Sequence, residues 1–263
     1  MQDFISFSHR LAGAARPVVM DLFRTPLSIE SKADTSPVTI ADRNAEAAMR
    51  TLIEETYPDH GIIGEEHGKK NEDAEYVWVL DPIDGTKSFV TGKPLFGILI
   101  ALMKNGKPIL GVIDMPALDE RFVGVSSAAT PNGMESGSKL NGEPVSVRGA
   151  KTLKDAWLYT TTPDMFQTDA DKAAYGRLAG AVRQALFGCD CYAYGLLASG
   201  HVDLVCEASM ALYDYAALVP VVEGAGGVIT DWQGAALGFG SDGTVLAAAT
   251  PELHKLALDH LRR

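Results

Sequence analysis

The sequence predicts a layered fold, α+β in its first half and α/β in its second. Three observations predict it. Two amphipathic helical patterns come first, and the apolar period then shortens to that of strands. Strand-like runs follow at short intervals, two of them joined by Asn105-Gly106, the strongest hairpin signal in the chain. Beyond residue 152 helical and strand patterns alternate, as they do where helices cover a sheet.

In chain order, Phe4, Phe7, Leu11, Ala14, Ala15, Val18, Val19 and Leu22 keep helical spacing, so a helix is expected from Asp3 to about Arg24, ended by Pro26. Thr39 and Asp42 suit a capping box for a second helix reaching Thr56, with Ala45, Ala48, Met49, Leu52 and Ile53 on one face. Strands are expected at 61–64, 76–80, 96–103, 108–113 and 121–125, forming an antiparallel sheet under the two helices. Asn141-Gly142 marks another turn. The second half reads as a strand at 156–160, a helix at 169–185, a short helix at 191–199 and a strand at 202–206. A helix at 213–223 follows, which Pro220 should kink. Strands at 227–230 and 244–249 and a helix at 252–261 complete it. The expected units are residues 1–147 and 148–263, packed as one body without a linker.

Composition narrows the function. The 263 residues carry 23 basic and 34 acidic side chains, a formal net charge of −11. Such a chain lacks the basic face a nucleic-acid binder presents to phosphates. No apolar run reaches the ~18–20 residues of a membrane span. Asp3 stands where a signal peptide has positive charge, so a cytoplasmic location is expected. Cys189, Cys191 and Cys206 suit free thiols better than a disulfide framework, and the scattered histidines make no zinc site.

The stretch Asp81-Pro82-Ile83-Asp84-Gly85-Thr86 leaves a continuous apolar run. Taken alone, Asp and Gly there favour a mere turn. As a site, the two carboxylates would repel a phosphate unless a divalent cation lay between them, and hard oxygen ligands suit magnesium. Glu65 and Glu66 leave another strand end. Asp42 and Asp214 sit in first turns of helices, where an acid also serves the helix dipole.

Together these pieces resemble the inositol monophosphatase superfamily of magnesium-dependent, lithium-sensitive phosphomonoesterases. The match runs through Glu65-Glu66 after Ile63-Gly64, Asp81-Pro82-Ile83-Asp84-Gly85-Thr86, Asp214 before Ala216-Ala217, and Glu223-Gly224-Ala225-Gly226-Gly227. Ser36-Pro37-Val38-Thr39-Ile40-Ala41-Asp42-Arg43, Gly64-Glu65-Glu66-His67-Gly68 and Asp190-Cys191-Tyr192-Ala193-Tyr194-Gly195 are similar to the histidinol-phosphate phosphatase branch. The resemblance implies a five-layer α-β-α-β-α sugar-phosphatase-like fold and a homodimer. It implies two or three Mg2+ per site, with Mn2+ as a substitute and Li+ as an inhibitor. By position, the metal ligands fall on Glu65, Asp81, Asp84, Asp214 and the carbonyl of Ile83, and phosphate contacts on the Gly85 and Thr86 amides. Asp42 and Thr86 would activate the attacking water, with Glu65 counted among the catalytic groups. The implied substrate is a small phosphate monoester, histidinol phosphate first and inositol 1-phosphate or another polyol phosphate second. A non-catalytic metal-binding regulator is the third reading.

A cationic leaving group calls for an acidic pocket, for which Asp190 and Glu207 are candidates and Asp164 a weaker one. The chain departs from the branch pattern at Leu186 and Cys189, where arginine and glycine are usual. Arg183, one helical turn earlier, is the expected substitute for the missing arginine.

Overall fold

The computed structural model describes residues 1–25, 30–31, 37–38, 40–126 and 136–262. Helix α1, Gln2–Leu22, buries Phe7, Leu11, Ala12, Ala15 and Val19 along one stripe. After the two-residue strands β1 (Glu30–Ser31) and β2 (Pro37–Val38), helix α2 runs Ile40–Thr56. Its buried face carries Ala41, Ala45, Met49 and Ile53, and also two carboxylates, Asp42 and Glu46. The expected cap Thr39 lies outside the described residues, as does Pro26.

The first sheet is built from β3 (Gly61–Gly64), β4 (Gly68–Lys70), β5 (Tyr76–Asp84), β6 (Gly97–Lys104), β7 (Lys107–Met115), β8 (Glu120–Val125), β9 (Gly137–Leu140) and β10 (Glu143–Val145), with helix α3 (Thr86–Val90) after β5. Its strand order is β10-β9-β8-β7-β6-β5-β3-β4. The Asn105-Gly106 turn between β6 and β7 has both residues at positive φ (49° and 76°), as a tight hairpin turn requires. The sheet is not wholly antiparallel, as the sequence suggested. β3 pairs parallel with β5. Parallel strands end at the same edge, so the residues following β3 emerge beside those that end β5.

The second sheet holds β11 (Trp157–Thr160), β12 (Gln184–Phe187), β13 (Leu204–Glu207), β14 (Val228–Thr230) and β15 (Val245–Ala248), in the order β12-β11-β13-β15-β14. Helices α4 (Asp169–Ala179), α5 (Tyr192–Ala198), α6 (Leu212–Tyr215), α7 (Leu218–Gly224) and α8 (Pro251–Leu261) accompany it. Two expectations fail here. The helix expected to Ala185 stops at Ala179 with Gly180 as its C-cap, and Gln184–Phe187 instead pairs parallel with β11. That pairing overrides the helical propensity of Arg183-Gln184-Ala185-Leu186. The break expected at Pro220 falls at Ala216-Ala217, between α6 and α7. Both residues keep right-handed helical angles. Pro220 has no N–H for the carbonyl four residues back, at Ala216, so it is the bonding that lapses one turn early.

Three apolar cores separate the layers. One joins α1 and α2 to the first sheet, through Trp78, Leu80, Ile98, Ile100 and Leu102. A second lies between the two sheets and takes in α5 and α7, with Val77, Val79, Tyr194, Leu197, Val205 and Val222. The third packs α4 and α8 on the far face of the second sheet. The order is therefore α-β-α-β-α. β5 contributes to two cores by alternation, Val77 and Val79 on one face and Trp78 and Leu80 on the other. The cross-strand partners Gly111 and Gly124 form a bare patch under the start of α7. A Cβ on Gly111 would lie 2.0 Å from the Ala217 carbonyl, and one on Gly124 2.3 Å from Val221 Cα. This close seating fixes α7, and with it α6 and Asp214, against the sheet.

Candidate active site

The site begins where the parallel pair ends. The Glu65 N–H bonds to the Leu80 carbonyl at 3.2 Å, extending the pairing one step past Gly64 and setting Glu65 beside Asp81. The β5–β6 register shifts between Asp81 and Asp84, so the chain bends there. Asp81 is 2% exposed, and its Oδ1 accepts the Ile83 N–H at 3.0 Å. Gly85, at φ 82°, turns the chain into α3. The Thr86 hydroxyl donates to the Ile83 carbonyl at 3.0 Å. Asp84 Oδ2 accepts the Cys191 N–H at 2.6 Å, which ties this turn to the segment before α5. From the other side α6 brings Asp214, whose Oδ2 accepts the Ala211 N–H at 2.7 Å.

One oxygen each from Asp81, Asp84 and Asp214 lies within 4.8 Å of the others. Like charges so close disfavour ionisation. Burial, and then the charges of Glu65, Asp84, Asp214 and Asp42 in that order, hold the Asp81 carboxyl well above the ordinary range. For Asp84, burial and then Asp190 outweigh the Cys191 bond that favours its charge, and the result is again well above that range. Among the described residues no lysine or arginine forms an ion pair with Asp81 or Asp84. Hard carboxylate oxygens gathered this closely fit a divalent cation. Asp42 acts on Asp81 from the first turn of α2, so five expected residues converge: Asp42, Glu65, Asp81, Asp84 and Asp214.

The residues expected to select the substrate are placed differently from one another. Asp190 sits at positive φ (48°) with its carboxylate packed on the Gly85 turn, and accepts the Ser88 hydroxyl at 3.1 Å. Burial raises its pKa, while Ser88, Lys93 and Lys87 pull it back. The Lys93 ammonium also donates to the Gly188 carbonyl. Glu207 is 2% exposed and each of its oxygens has a donor within the chain. Oε1 accepts the Thr161 N–H at 3.0 Å and its hydroxyl at 2.5 Å, and Oε2 accepts the Tyr194 hydroxyl at 2.8 Å. Burial pushes the Glu207 carboxyl up, and those donors oppose it. Asp164 is exposed in a short turn capped by Thr162. Arg183 does not join the group. It is exposed, with its guanidinium 6.0 Å over the Trp157 ring. Trp157 begins β11 and Arg183 precedes β12, whereas Gly188–Asp190 follow the other end of that strand.

Sequence reasoning missed Glu46, Ser88 and Lys93. Glu46 holds the turn after β3 by accepting the N–H groups of Glu66 and His67. The one available signal was its spacing, four residues after Asp42 on the same helix face.

No described helix is long and apolar enough to cross a membrane. The model of the inositol monophosphatase family matches residues 1–263. The chain is 50% identical over 267 residues to a bifunctional phosphatase IMPL2, chloroplastic, of Arabidopsis thaliana, covering 98% of this chain and 75% of that one. It is 37% identical over 228 residues to a histidinol-phosphatase of Chlorobaculum parvum, covering 85% and 84%. Among solved structures, an inositol monophosphatase from Zymomonas mobilis superposes with a TM-score of 0.89 at 44% identity, covering 100% of this chain and 98% of that one. With its acidic cluster at the edge of a shared five-layer fold, the chain belongs to the inositol monophosphatase family of phosphatases.

Proposed function

We propose that the protein is a magnesium-dependent phosphomonoesterase that hydrolyses L-histidinol phosphate to L-histidinol and phosphate. The observation that carries the metal reading is the convergence of Asp81, Asp84 and Asp214, one oxygen of each lying within 4.8 Å of the others. Glu65, Asp81, Asp84, Asp214 and the Ile83 carbonyl would hold two or three Mg2+, with Mn2+ as a substitute and Li+ as an inhibitor. When bound, the ions neutralise the ester's charge, acidify water and stabilise the leaving oxygen.

The chain's own groups do the rest. The Gly85 and Thr86 amides follow directly on Asp84 and would hold the phosphate oxygens. The Thr86 hydroxyl, now donating to Ile83, would turn to Asp42 and accept a hydrogen from the attacking water, which it thereby orients. Each step is positioning and charge stabilisation, with no nucleophilic side chain required.

The histidinol reading is supported by the histidinol-phosphatase relative at 37% identity and by Asp190 beside the Gly85 turn, where it would face the ammonium of the leaving group. The polyol phosphate reading is supported by the 44% identical inositol monophosphatase. In that reading Glu207 would serve hydroxyls. We also propose a homodimer in the cytoplasm.

The test is phosphate release from histidinol phosphate, inositol 1-phosphate and 3′-phosphoadenosine 5′-phosphate with magnesium. The expected result is a preference for histidinol phosphate that Asp190→Asn reduces by about tenfold, or ~1.4 kcal/mol, against inositol 1-phosphate. Preference for inositol 1-phosphate overturns the substrate assignment, and no release from any ester favours a regulator.

A further inference from the structure

Glu46 is 0% exposed, and a buried carboxylate is costly unless it is paired and bonded. Its partners are concentrated on one short turn. Oε1 accepts Arg50 Nε at 2.7 Å and the His67 N–H at 3.1 Å, and Oε2 accepts the Glu66 N–H at 2.7 Å. Arg50 Nη2 donates onward to the Gly68 carbonyl. The end of β3 rides directly over the same carboxylate. A Cβ on Gly64 would lie 2.0 Å from Oε1. One anion and its arginine therefore grip the chain from Gly64 to Gly68.

Glu65 lies inside that grip. Its own N–H is held by Leu80 on one side, and the next two N–H groups are held by Glu46 on the other. With the backbone fixed at both ends, only side-chain rotamers remain to be ordered when Glu65 reaches the cluster. A loose turn would add the entropy of ordering its backbone to that cost. The same face of α2 carries Asp42 one turn earlier, so a single helix supplies one group to the cluster and anchors the turn that supplies another.

We propose that Glu46, clamped by Arg50, is a positioning residue that aims Glu65 at the cation site, so that cation affinity depends on a carboxylate that is not itself a ligand. The proposal rests on the reading that the acidic cluster binds a divalent cation.

The test compares wild type with Glu46→Gln, which keeps the volume but gives up the charge that the arginine and the two amides share. Mn2+ binding is followed by electron paramagnetic resonance, and exchange of the Glu66 and His67 amides by hydrogen–deuterium NMR. The expected result is Mn2+ affinity weakened roughly 10–100-fold, as for partners that orient metal ligands, with faster exchange at both amides. The KM for the ester at saturating magnesium should stay within about twofold. Faster exchange with unchanged Mn2+ affinity overturns the proposal, because the turn would then not set the ligand. Weakened affinity with unchanged exchange also overturns it, because the charge would then act through space. Should Glu46→Gln fail to fold, Arg50→Lys tests the same clamp with the same two readouts and the same signs, at a smaller amplitude. A wild-type chain that binds Mn2+ but hydrolyses no ester would sink the proposed reaction and leave this comparison standing.

Discussion

Two groups of buried carboxylates sit in the same fold and are treated in opposite ways. Asp114 and Asp203 are each 0% exposed, and each is met by arginine. Asp114 accepts from Arg16 Nη2 at 2.8 Å and Arg121 Nε at 2.6 Å. Asp203 accepts from Arg148 Nε at 2.6 Å and the Trp157 N–H at 2.8 Å. Asp81 is buried just as deeply, yet its charged neighbours are four more acids. Burial and residue type are alike, so the difference lies in who provides the counter-charge. For Asp114 and Asp203 the chain provides it. Around Asp81 the neighbouring acids repel one another, and that repulsion opposes folding until a cation relieves it.

The sharpest way to break that contrast is Asp84→Asn. It removes a negative charge and an anionic oxygen ligand while keeping the volume. Phosphate release should fall more than ~10³-fold, or about 4 kcal/mol of transition-state stabilisation. In metal-free buffer the melting temperature should hold or rise, since a repulsion is gone. A variant that loses activity and also melts well below wild type without metal would put Asp84 with the structural acids instead.

The converse change is Asp114→Asn. It leaves Arg16 and Arg121 without their shared anion. Breaking one side of a buried pair costs about 3 kcal/mol where the stranded charges keep some solvent. For a chain of this size that is roughly 6–10 °C in melting temperature, and the folded fraction should keep its specific activity. Unchanged melting would show that the Asp114 pair is no more than an exposed one.

How much of this was readable beforehand follows from how local each signal is. The stripes of α1 and α2 and the Asn105-Gly106 turn need only neighbours in sequence, and they were legible. β12 was not, because Gly180 and the pairing with β11 outweigh the helical composition of 183–186. The direction of β3 against β5 is likewise a tertiary fact, although it is what sets Glu65 beside Asp81. In the site, the carboxylates announced themselves by standing after apolar runs. Arg183 misled because one turn of an expected helix becomes the far end of a strand. Glu46 went unnoticed because a glutamate in mid-helix reads as solvent-facing, and its burial is decided by a turn some twenty residues downstream.

The smallest effect concerns pH and the acids of the cluster. Asp81 and Asp84 hold their protons well above the ordinary range when folded, whereas the unfolded chain releases them near pH 3.9. Between those values the folded state binds more protons than the unfolded one. The contribution of these two groups to stability is therefore greatest below pH 3.9 and falls as pH rises through their folded pKa values. Magnesium needs the ionised oxygens, so it should restore most where the free cluster is most strained. At ten times its dissociation constant the ion adds about 1.4 kcal/mol, roughly 3–5 °C for a chain of this size. That shift should be larger at pH 8 than at pH 5. In Asp84→Asn it should shrink at both. Scanning calorimetry with and without magnesium checks it. An equal shift at both pH values would mean that the bound ion displaces no protons, and that the acids around Asp81 are ionised before it arrives.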